Sequence, residues 1–522
     1  MRLGIDFGTT RTVVACADRG NYPILTFCDA AGDAHDWFPS VVAERGGELR
    51  FGFDALATAS DPSFTAVRSF KRLLADAGAG PGKNVRIGST SMPIDELVTR
   101  FLVALKDAVL TRTSLPSKPA RDEVASIRSV VAVPANASGA QRFVTLDAFR
   151  RAGFQPIALL NEPSAAGFEY THRHRDTLTS RRDQVVVYDL GGGTFDASLV
   201  RMRGRKHEVM ATAGVNQLGG DDFDEVLLGL VLAKTKLTRS QLDPRALERL
   251  LDQCRDAKER LNPSSRKISI DLEAALEGAA PSSESVVTVS DFYEACLPLV
   301  SRSIDAMVPV MARLDGARDS DDATLDEIAG IYVVGGASEL PLIARALRER
   351  FGRRVHRSPY PSAAIAIGLA IACDEAAGFE LADRYSRTFG VFREGEAGTA
   401  ITFDPIFTHE TALPTRAGGP LRFRRDYRAA HNVGHFRFFE CTAVAEDGHP
   451  RGDMMISGDV LFPFDPSLHA EALDLSSVTV ERSGARGPRI EEEYSLDEHG
   501  IIAITIKNLD AGFERVYRLG AL

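Results

Sequence analysis

The chain has 522 residues, a formal net charge of −10 and six cysteines that form no C-x-x-C pair. This length predicts two or more domains, the acidic balance argues against a general nucleic-acid binder, and the scattered cysteines argue against a zinc or thioredoxin-like site. Because no window reaches the roughly 18 apolar residues of a spanning helix, and the N-terminus lacks a signal-peptide run, we expect a cytoplasmic protein that contacts neither membrane nor nucleic acid.

The first predicted element is a β-hairpin over residues 3–15, whose turn has the sequence DFGTT at 6–10. A nucleoside triphosphate needs backbone N–H groups that can approach it closely, which glycine permits, and hydroxyl groups that donate to phosphate oxygens. Residues 185–200 repeat this plan around the turn DLGGGTFD. The repetition predicts a duplicated α/β unit in which each copy presents a glycine–threonine loop.

Acidic residues flank these turns at Asp6, Asp189 and Asp196. Carboxylates beside phosphates would repel them, so their presence indicates a hydrated Mg²⁺ between the two, an ion that keeps its waters and prefers carboxylate oxygen. Two ordinary glycine turns are the alternative for each loop taken alone. The two loops together, each with its acidic residue, favour an Mg-ATP site.

Between and after the two loops the pattern alternates between helices and strands. We predict helices over 94–110, 138–152, 244–261, 341–351 and 362–377, and strands over 128–133 and 325–334. The last of these strands enters the Gly335-Gly336-Ala337 turn. This turn is a third candidate contact, which either packs against an adenosine or is simply a tight strand–helix connection.

Near Asp383 the alternation ends and short runs of period two begin. These runs lie at 436–444, 459–464, 478–481 and 501–507, separated by Pro, Gly, Asp and His. They predict a β-sandwich-like domain. The basic stretch 416–428 is expected to be an exposed loop, with contact to an acidic partner as the alternative.

Four motifs occur in the order of a known family. GIDFGTT at 4–10 and VYDLGGGTFD at 187–196 resemble its two phosphate motifs. AVPANASGAQR at 132–142, followed by NEPSAAG at 161–167, resembles the segment that connects its lobes. The chain thus resembles the seventy-kilodalton heat-shock chaperone family (DnaK-like), within the actin and hexokinase superfamily of ATPases.

The resemblance covers about residues 1–380 and extends to the adenosine motifs, VVGGASELP at 333–341 and the segment 254–262. It implies an α/β actin-like two-lobed ATPase domain with a duplicated unit at 1–382, followed by a small β-sandwich-like domain at 383–522. The sequence reaches Leu522 without the helical lid that follows in the family, so a β domain without a lid is expected.

The function implied by the resemblance is that of an ATP-dependent, chaperone-like ATPase with slow hydrolysis. ATP or ADP and Mg²⁺ would be its cofactors, and nucleotide state would be coupled to polypeptide binding. Its partners would be unfolded or extended polypeptide and a cochaperone or nucleotide-exchange factor.

Two other functions stay open. One is a nucleotide-state switch or scaffold with one dedicated protein partner, since residues 379–389 lack the family's leucine-rich acidic run. The other is a polymerising actin-like ATPase or a small-molecule kinase of the same superfamily, neither of which needs an additional β domain. Binding to many unfolded peptides, rather than to one protein, would distinguish a chaperone from a scaffold.

The resemblance also implies residue roles. Glu162, Asp196 and Thr194 would be catalytic, and Asp6 and Asp189 would hold Mg²⁺ through water. The nucleotide-binding positions would be Asp6, Gly8, Thr9, Thr10, Arg11, Asp189, Gly191, Gly192, Gly193, Thr194, Arg255, Lys258, Glu259, Asn262, Gly335, Gly336, Ala337, Ser338 and Glu339. Pro134 and Arg142 would relay nucleotide state between the lobes, although Pro134 is equally well explained as a turn.

Departures from the family pattern set one further expectation. The family places a lysine near the edge of the first lobe to position the attacking water, and the similarity of segment 52–56 assigns Leu56 to that position. Slow hydrolysis is expected on this alignment, because leucine supplies neither a donor nor a charge. The alternative is that Lys71 or Arg68 reaches the phosphate from a neighbouring element.

Overall fold

The computed structural model of the chain describes residues 1–58, 61–74, 80, 82–115, 127–276, 283–314, 328–395, 398–470, 473–482 and 487–520. Four larger sheets organise this part of the chain, one with five strands, one with six and two with four. No helix within these ranges is both long and apolar enough to cross a membrane.

The N-terminal sheet forms around the first predicted hairpin. Its strand order is Gln155–Asn161, Arg128–Val133, Arg2–Phe7, Arg11–Cys16 and Phe38–Pro39. The hairpin strands pair antiparallel, and Arg2–Phe7 also pairs parallel with Arg128–Val133. Residues 3–7 are all buried, because helices cover both faces of the sheet, as their continuous apolar run requires.

The central sheet repeats this connectivity around the second hairpin. Its strand order is Val355–Arg357, Ile328–Val334, Gln184–Leu190, Phe195–Arg203, Lys206–Val215 and Glu380–Ala382. Gln184–Leu190 pairs antiparallel with Phe195–Arg203 and parallel with Ile328–Val334. The two glycine–threonine turns therefore occupy equivalent positions in the two sheets.

Helices pack on these two sheets and between them. They span Gly52–Leu56, Ile94–Thr111, Gly139–Arg151, Glu162–Arg173, Gly220–Thr235, Pro244–Glu259, Leu272–Leu276, Val289–Ala306, Val308–Met311, Pro341–Phe351 and Ala364–Cys373. Short strands at Phe27–Cys28, Ala34–His35, Val41–Arg45, Glu48–Phe51, Thr65–Arg68, Asn84–Ile87, Thr90–Pro93, Lys267–Asp271 and Glu284–Thr288 complete this part. The predicted helices are confirmed within a few residues, except that the helix expected over 362–377 is shorter.

That shorter helix, Ala364–Cys373, packs closely between the N-terminal sheet and helix Glu162–Arg173. Glycine makes this packing possible on both sides. A Cβ on Gly4 would lie 2.2 Å from the Ala370 nitrogen, and a Cβ on Gly368 would lie 1.8 Å from the Ala165 oxygen. Any larger residue at either position would push the two layers apart.

The two C-terminal sheets enclose one hydrophobic cluster that includes Phe389, Phe438 and Tyr494. The first C-terminal sheet has the order Ala400–Phe407, Thr388–Gly395, Val433–Val444 and Pro450–Pro463. The second has the order Leu421–Arg428, Arg489–Leu496, Ile502–Asn508 and Phe513–Arg518.

Two predictions for this region are wrong. The basic stretch 416–428 is not a loop, since residues 421–428 form a strand in which Arg422 and Arg424 pair with Glu493 on the neighbouring strand. The run 478–481 is not a strand but follows a 3-10 turn without regular structure. Both differences arise because strand formation depends on pairing with distant residues, which 421–428 find on strand Arg489–Leu496 and 478–481 do not find within the described residues.

Buried polar contacts join the C-terminal sheets to the α/β part, and we call this contact the seam. The Gly139 N–H donates to both carboxylate oxygens of Glu440 at 3.1 Å, and Arg142 Nη1 donates to the His499 carbonyl at 3.2 Å. Arg387 Nη1 donates to Asn136 Oδ1 at 3.2 Å. Glu440, Arg142 and Arg387 are each at most 1% exposed.

Candidate functional site

A cleft with a cavity volume of about 230 Å³ lies where the two glycine–threonine turns face each other. Most of the predicted site residues line it. They are Asp6, Gly8, Thr9, Thr10, Arg11, Glu162, Asp189, Gly191, Gly192, Thr194, Arg255, Lys258, Glu259, Gly335, Gly336, Ala337 and Glu339.

Four predicted residues lie outside the lining of this cleft. Asp196 is buried directly behind it as the cross-strand partner of Asp189, and the Gly193 carbonyl accepts from Arg72 Nη2 at 3.3 Å. Ser338 is buried, and its hydroxyl donates to a backbone carbonyl in its own turn. Asn262 lines an adjoining groove that shares Leu261 and Glu339 with the cleft, so its predicted contact with nucleotide stays a prediction.

The two turns approach each other closely, and the glycine positions leave no room for a side chain. A Cβ on Gly192 would lie 2.8 Å from Thr10 Oγ1, and a Cβ on Gly219 would lie 2.6 Å from the Gly192 carbonyl carbon. Gly335 has φ +86°, and a Cβ there would lie 2.4 Å from Asp189 Oδ1. The backbone N–H groups and threonine hydroxyls at this end of the cleft are therefore open to an anionic ligand.

Four carboxylates surround this phosphate end of the cleft, and all are at most 8% exposed. Burial, followed by the negative charge of Glu162, raises the pKa of Asp6 to about 7 and that of Asp196 to about 8. The same two causes raise the pKa of Asp189. The positive charge of Lys71 opposes each of these increases. The carboxylates therefore compete for a single nearby cation.

Lys71 lines the cleft, whereas the resemblance to the family assigned the lysine position to Leu56. It lies in a 3-10 turn, Phe70–Leu74, and only 5% of it is exposed. Its ammonium lies 3.0 Å from Glu162 Oε1 and 5.4 Å from the centre of the Phe7 ring. Arg68, the other residue considered, pairs with Asp252 at 2.8 Å and does not line the cleft.

The expectation that Leu56 occupies the lysine position is therefore wrong. Leu56 ends the short helix Gly52–Leu56 and packs partly buried against hydrophobic neighbours, outside the cleft. The alignment placed the lysine by resemblance to the wrong segment. The apolar residues of SFKRLL indicate that this segment packs against the core, but they do not separate Lys71 from Arg72 beside it.

The phosphate end fits a hydrated Mg²⁺. Within the described ranges, no three Asp, Glu, His or Cys side chains converge closely enough to ligate a metal directly. A cation bound through its own waters needs only nearby carboxylate oxygens, and the excess of buried negative charge favours one. Asp6 and Asp189, which line the cleft from the two sheets, are the residues that would hold it through water.

The two cations predicted to bind nucleotide, Arg255 and Lys258, line the cleft and also form ion pairs with carboxylates that the sequence analysis did not assign. Lys258 pairs with Asp224 at 2.6 Å and donates to the Gly220 carbonyl at 2.7 Å. Arg255 pairs with Asp221 and Asp224 at 3.4 and 3.3 Å. These contacts fix helix Gly220–Thr235 against helix Pro244–Glu259 and position Gly220 in the cleft wall.

At the opposite, open end of the cleft the ion pairs are more exposed. Arg11 pairs with Glu259 across the cleft at 2.5 Å, and their side chains are 33% and 39% exposed. The Arg11 guanidinium also lies 4.7 Å from the centre of the Trp37 ring. Glu339 pairs with Arg357 at 3.6 Å. The open end therefore carries two glutamates, each paired with an arginine.

Comparison with known proteins agrees with this architecture. A family model described as Hsp70 protein matches residues 2–418. Among curated relatives, a chaperone protein HscA homolog from Janthinobacterium sp. (strain Marseille) is 33% identical over 393 residues, which are 72% of this chain and 58% of the relative. The HscA homolog from Burkholderia ambifaria (strain MC40-6) is 33% identical over 394 residues, 72% of this chain and 59% of the relative.

A third relative, the HscA homolog from Colwellia psychrerythraea (strain 34H / ATCC BAA-681), is 31% identical over 388 residues. The chain thus spans somewhat less than two thirds of the length of these relatives. The family implies a two-lobed, actin-like ATPase domain, and the two sheets that face each other across the cleft agree with it. On the family match and the geometry of the cleft, the chain belongs to the Hsp70 family.

Proposed function

We propose that this protein binds Mg-ATP in the cleft, hydrolyses it, and couples its nucleotide state to polypeptide binding by residues 383–522. The observation that carries the proposal is the buried Lys71–Glu162 pair, which lines the same cleft as the two glycine–threonine turns. A buried ion pair is costly to maintain, and breaking it is costlier still. Its position beside open N–H groups therefore favours a catalytic role over a purely structural one.

The two glycine–threonine turns would bind the triphosphate. The close approach of Gly192 to Thr10 leaves backbone N–H groups accessible from the cleft, and threonine hydroxyls lie beside them. These groups donate hydrogen bonds without adding charge. Bound Mg²⁺ would neutralise part of the charge on the phosphate oxygens and fix their orientation.

Hydrolysis would be an in-line attack of water on the terminal phosphate. Glu162 Oε1 can accept a hydrogen bond from that water and orient its lone pair, while the Lys71 ammonium 3.0 Å away offsets charge spreading over the phosphate oxygens. Thr194 lines the same wall of the cleft. Positioning and electrostatics would supply the rate, with no covalent intermediate.

Coupling to the C-terminal sheets would pass through the seam. Glu440 accepts the Gly139 N–H at the start of helix Gly139–Arg151, and this helix carries Arg142. Arg142 also donates to Asn161 Oδ1, next to Glu162 in the cleft. A continuous set of buried contacts therefore links the catalytic glutamate to the first C-terminal sheet.

The experiment that tests this function compares peptide affinity with ATP and with ADP. A fluorescent extended peptide should bind with affinities that differ at least severalfold between the two nucleotides. Glu440→Ala should remove this difference, because it leaves Arg387 buried without one of its carboxylates. Glu514→Ala, at an exposed pair with Lys507, is the matched control and should keep it. Equal peptide affinity in both nucleotide states of the wild type would contradict the coupling.

A nucleotide-state switch for one dedicated partner is the second candidate. One contact favours it: the Asp383 carboxylate, where residues 383–522 begin, is buried and accepts from Asn161 Nδ2 at 2.9 Å and Ser164 Oγ at 3.3 Å. A connection held this way suits a fixed scaffold. A peptide library distinguishes the two, because a chaperone binds many unrelated sequences and a dedicated switch binds none of them well.

A further inference from the structure

The outer face of the first C-terminal sheet carries a cluster of three aromatic rings, of which Phe392 and Phe439 are partly exposed and Phe403 is only 8% exposed. Phe392 lies 5.4 Å from Phe403 and 5.0 Å from Phe439, measured between ring centres. Ile401 and Ile456 flank these rings and are 68% and 59% exposed. All five side chains belong to strands of this sheet, on the side opposite the hydrophobic cluster shared with the second sheet. Contiguous exposed apolar groups of this kind mark interaction sites.

Cationic side chains border this surface. A cavity of about 680 Å³ has Phe392, Ile401 and Phe439 in its lining. Its basic lining residues are Arg393, His431, His435, Arg437 and Arg482. Glu394 is the one carboxylate that lines it within the described ranges, and Glu394 already accepts from Arg482 and lies 3.6 Å from His431. Arg393 also pairs with Asp404 and Glu492, so the carboxylates nearby compensate most of the positive charge at this surface.

Arg437 is the cation on this surface that has no carboxylate of its own. Its cross-strand neighbour is Asp459, but the Asp459 carboxylate bonds to His435. The Arg437 guanidinium lies 3.4 Å from His435 Nδ1, and within the part of the chain that the structure describes no carboxylate lies within 4 Å of it. An exposed guanidinium beside aromatic rings is well suited to receive a carboxylate from a partner.

The spacing of these groups matches an extended chain. Arg437 and Phe439 are two residues apart on one strand and point to the same face, about 7 Å from each other. Side chains two positions apart on an extended peptide have the same separation. A peptide lying along this strand could therefore place a carboxylate at Arg437 and an apolar side chain at Phe439 together.

We propose that this face binds extended polypeptide segments that carry an acidic residue two positions from an aromatic or branched aliphatic residue, with Arg437 receiving the carboxylate. The inference rests on the proposed function and specifies the class of polypeptide. The apolar contacts would supply most of the affinity, and the charge pair would supply selectivity and the on-rate.

The test uses three fluorescein-labelled heptapeptides that differ at one position. Each has a central phenylalanine in a Gly/Ser background, with Glu, Gln or Lys two residues before it, and binding to the full chain is measured by anisotropy. We expect the Glu peptide to bind about two- to fivefold more tightly than the Gln peptide at low salt, and the Lys peptide to bind most weakly. The Glu preference should shrink as NaCl is raised, because the pair is exposed.

Two substitutions with matched controls assign the effect to this face. Arg437→Gln should make Glu and Gln peptides bind equally, while Arg518→Gln, on the outer strand of the second sheet, should keep the preference. Ile401→Ser should weaken all three peptides, while Val516→Ser, at a side chain that is also mostly exposed, should weaken none.

The outcomes separate this proposal from the function on which it rests. Peptides that bind equally well with Glu, Gln or Lys would overturn the acidic selectivity and leave polypeptide binding intact. Glu selectivity that survives Arg437→Gln would overturn the assignment to this face. No measurable binding of any peptide, in either nucleotide state, would overturn the proposed function and this inference together.

Discussion

The two ends of the cleft differ in how their charges are solvated. At the phosphate end, Lys71 and Glu162 have side chains that are 6% and 8% exposed, and aspartates crowd around them. At the open end, Arg11 and Glu259 are 33% and 39% exposed and face solvent. Electrostatic interactions strengthen as water is excluded. If the cleft binds nucleotide as proposed, charge interactions at the phosphate end would be strong, whereas the ion pair at the open end would separate at little cost and let nucleotide exchange.

The largest effect on binding should come from the backbone of the phosphate end. A valine at Gly192 would drive its side chain into Thr10, whose hydroxyl lies 2.8 Å from the position of a Cβ. Gly192→Val should therefore weaken Mg-ATP binding by one to two orders of magnitude or more, measured by calorimetry. Gly229→Val is the control, because a Cβ at Gly229 meets nothing within 4 Å. Wild-type affinity in Gly192→Val would remove the turns from the site.

A second effect should follow from the buried carboxylates. The pKa of Asp6 rises from 3.8 to about 7 on folding, so the folded state holds this proton more tightly and loses stability as pH rises through that window. Asp6→Asn resembles the protonated form and lacks this loss. Without Mg²⁺, the stability of Asp6→Asn relative to wild type should increase on the order of 2 kcal/mol between pH 5 and pH 8, measured by urea unfolding.

A substitution at an exposed aspartate is the control for this pH dependence of stability. Asp305→Asn, at an exposed position on helix Val289–Ala306, should follow the wild-type pH dependence throughout. Mg²⁺ with ATP should reduce the Asp6 effect, because a divalent cation favours the ionised form. A stability difference between Asp6→Asn and wild type that is the same at pH 5 and pH 8 would show that Asp6 is not held in this environment.

The smallest effect should come from the open end. Glu259→Gln removes one partner of a half-exposed ion pair, and such pairs contribute little because water and salt screen them. Release of a fluorescent ATP analogue should accelerate by no more than about fivefold, and the change should fade at high salt. Acceleration by two orders of magnitude would mean that the open end holds nucleotide as firmly as the phosphate end, and the contrast between them would fail.

The position of the two glycine–threonine turns could be predicted from sequence because it depends on local residues. Glycine, threonine and aspartate occur within a few residues of each other, and the backbone conformation they allow is set by those residues. Strand and helix positions in the α/β part were predictable for the same reason, since their apolar periodicity is continuous. The turn at 335–337 was also visible, although its contact with Asp189 was not.

Lys71 could not be positioned in this way because its partner is distant in sequence. Ninety-one residues separate it from Glu162, and nothing local distinguishes it from the arginine that follows. The carboxylates Asp221 and Asp224 were missed for a similar reason, since they act by pairing with Arg255 and Lys258 on another helix. In the C-terminal sheets, the strand at 421–428 could not be predicted because the carboxylates that pair with its arginines lie on other strands, Glu493 on the neighbouring one and Asp404 on the other sheet.

The most direct test of the account is single-turnover ATP hydrolysis by wild type, Lys71→Ala, Leu56→Lys and Lys206→Ala. Lys71→Ala should slow hydrolysis by about a hundredfold to a thousandfold, the usual effect of losing one positioned donor, while ATP binding by calorimetry changes far less. Leu56→Lys should change nothing, since residue 56 lies outside the cleft, and Lys206→Ala controls for loss of a surface charge. Normal hydrolysis by Lys71→Ala, or acceleration by Leu56→Lys, would contradict the assignment of Lys71 as the catalytic lysine.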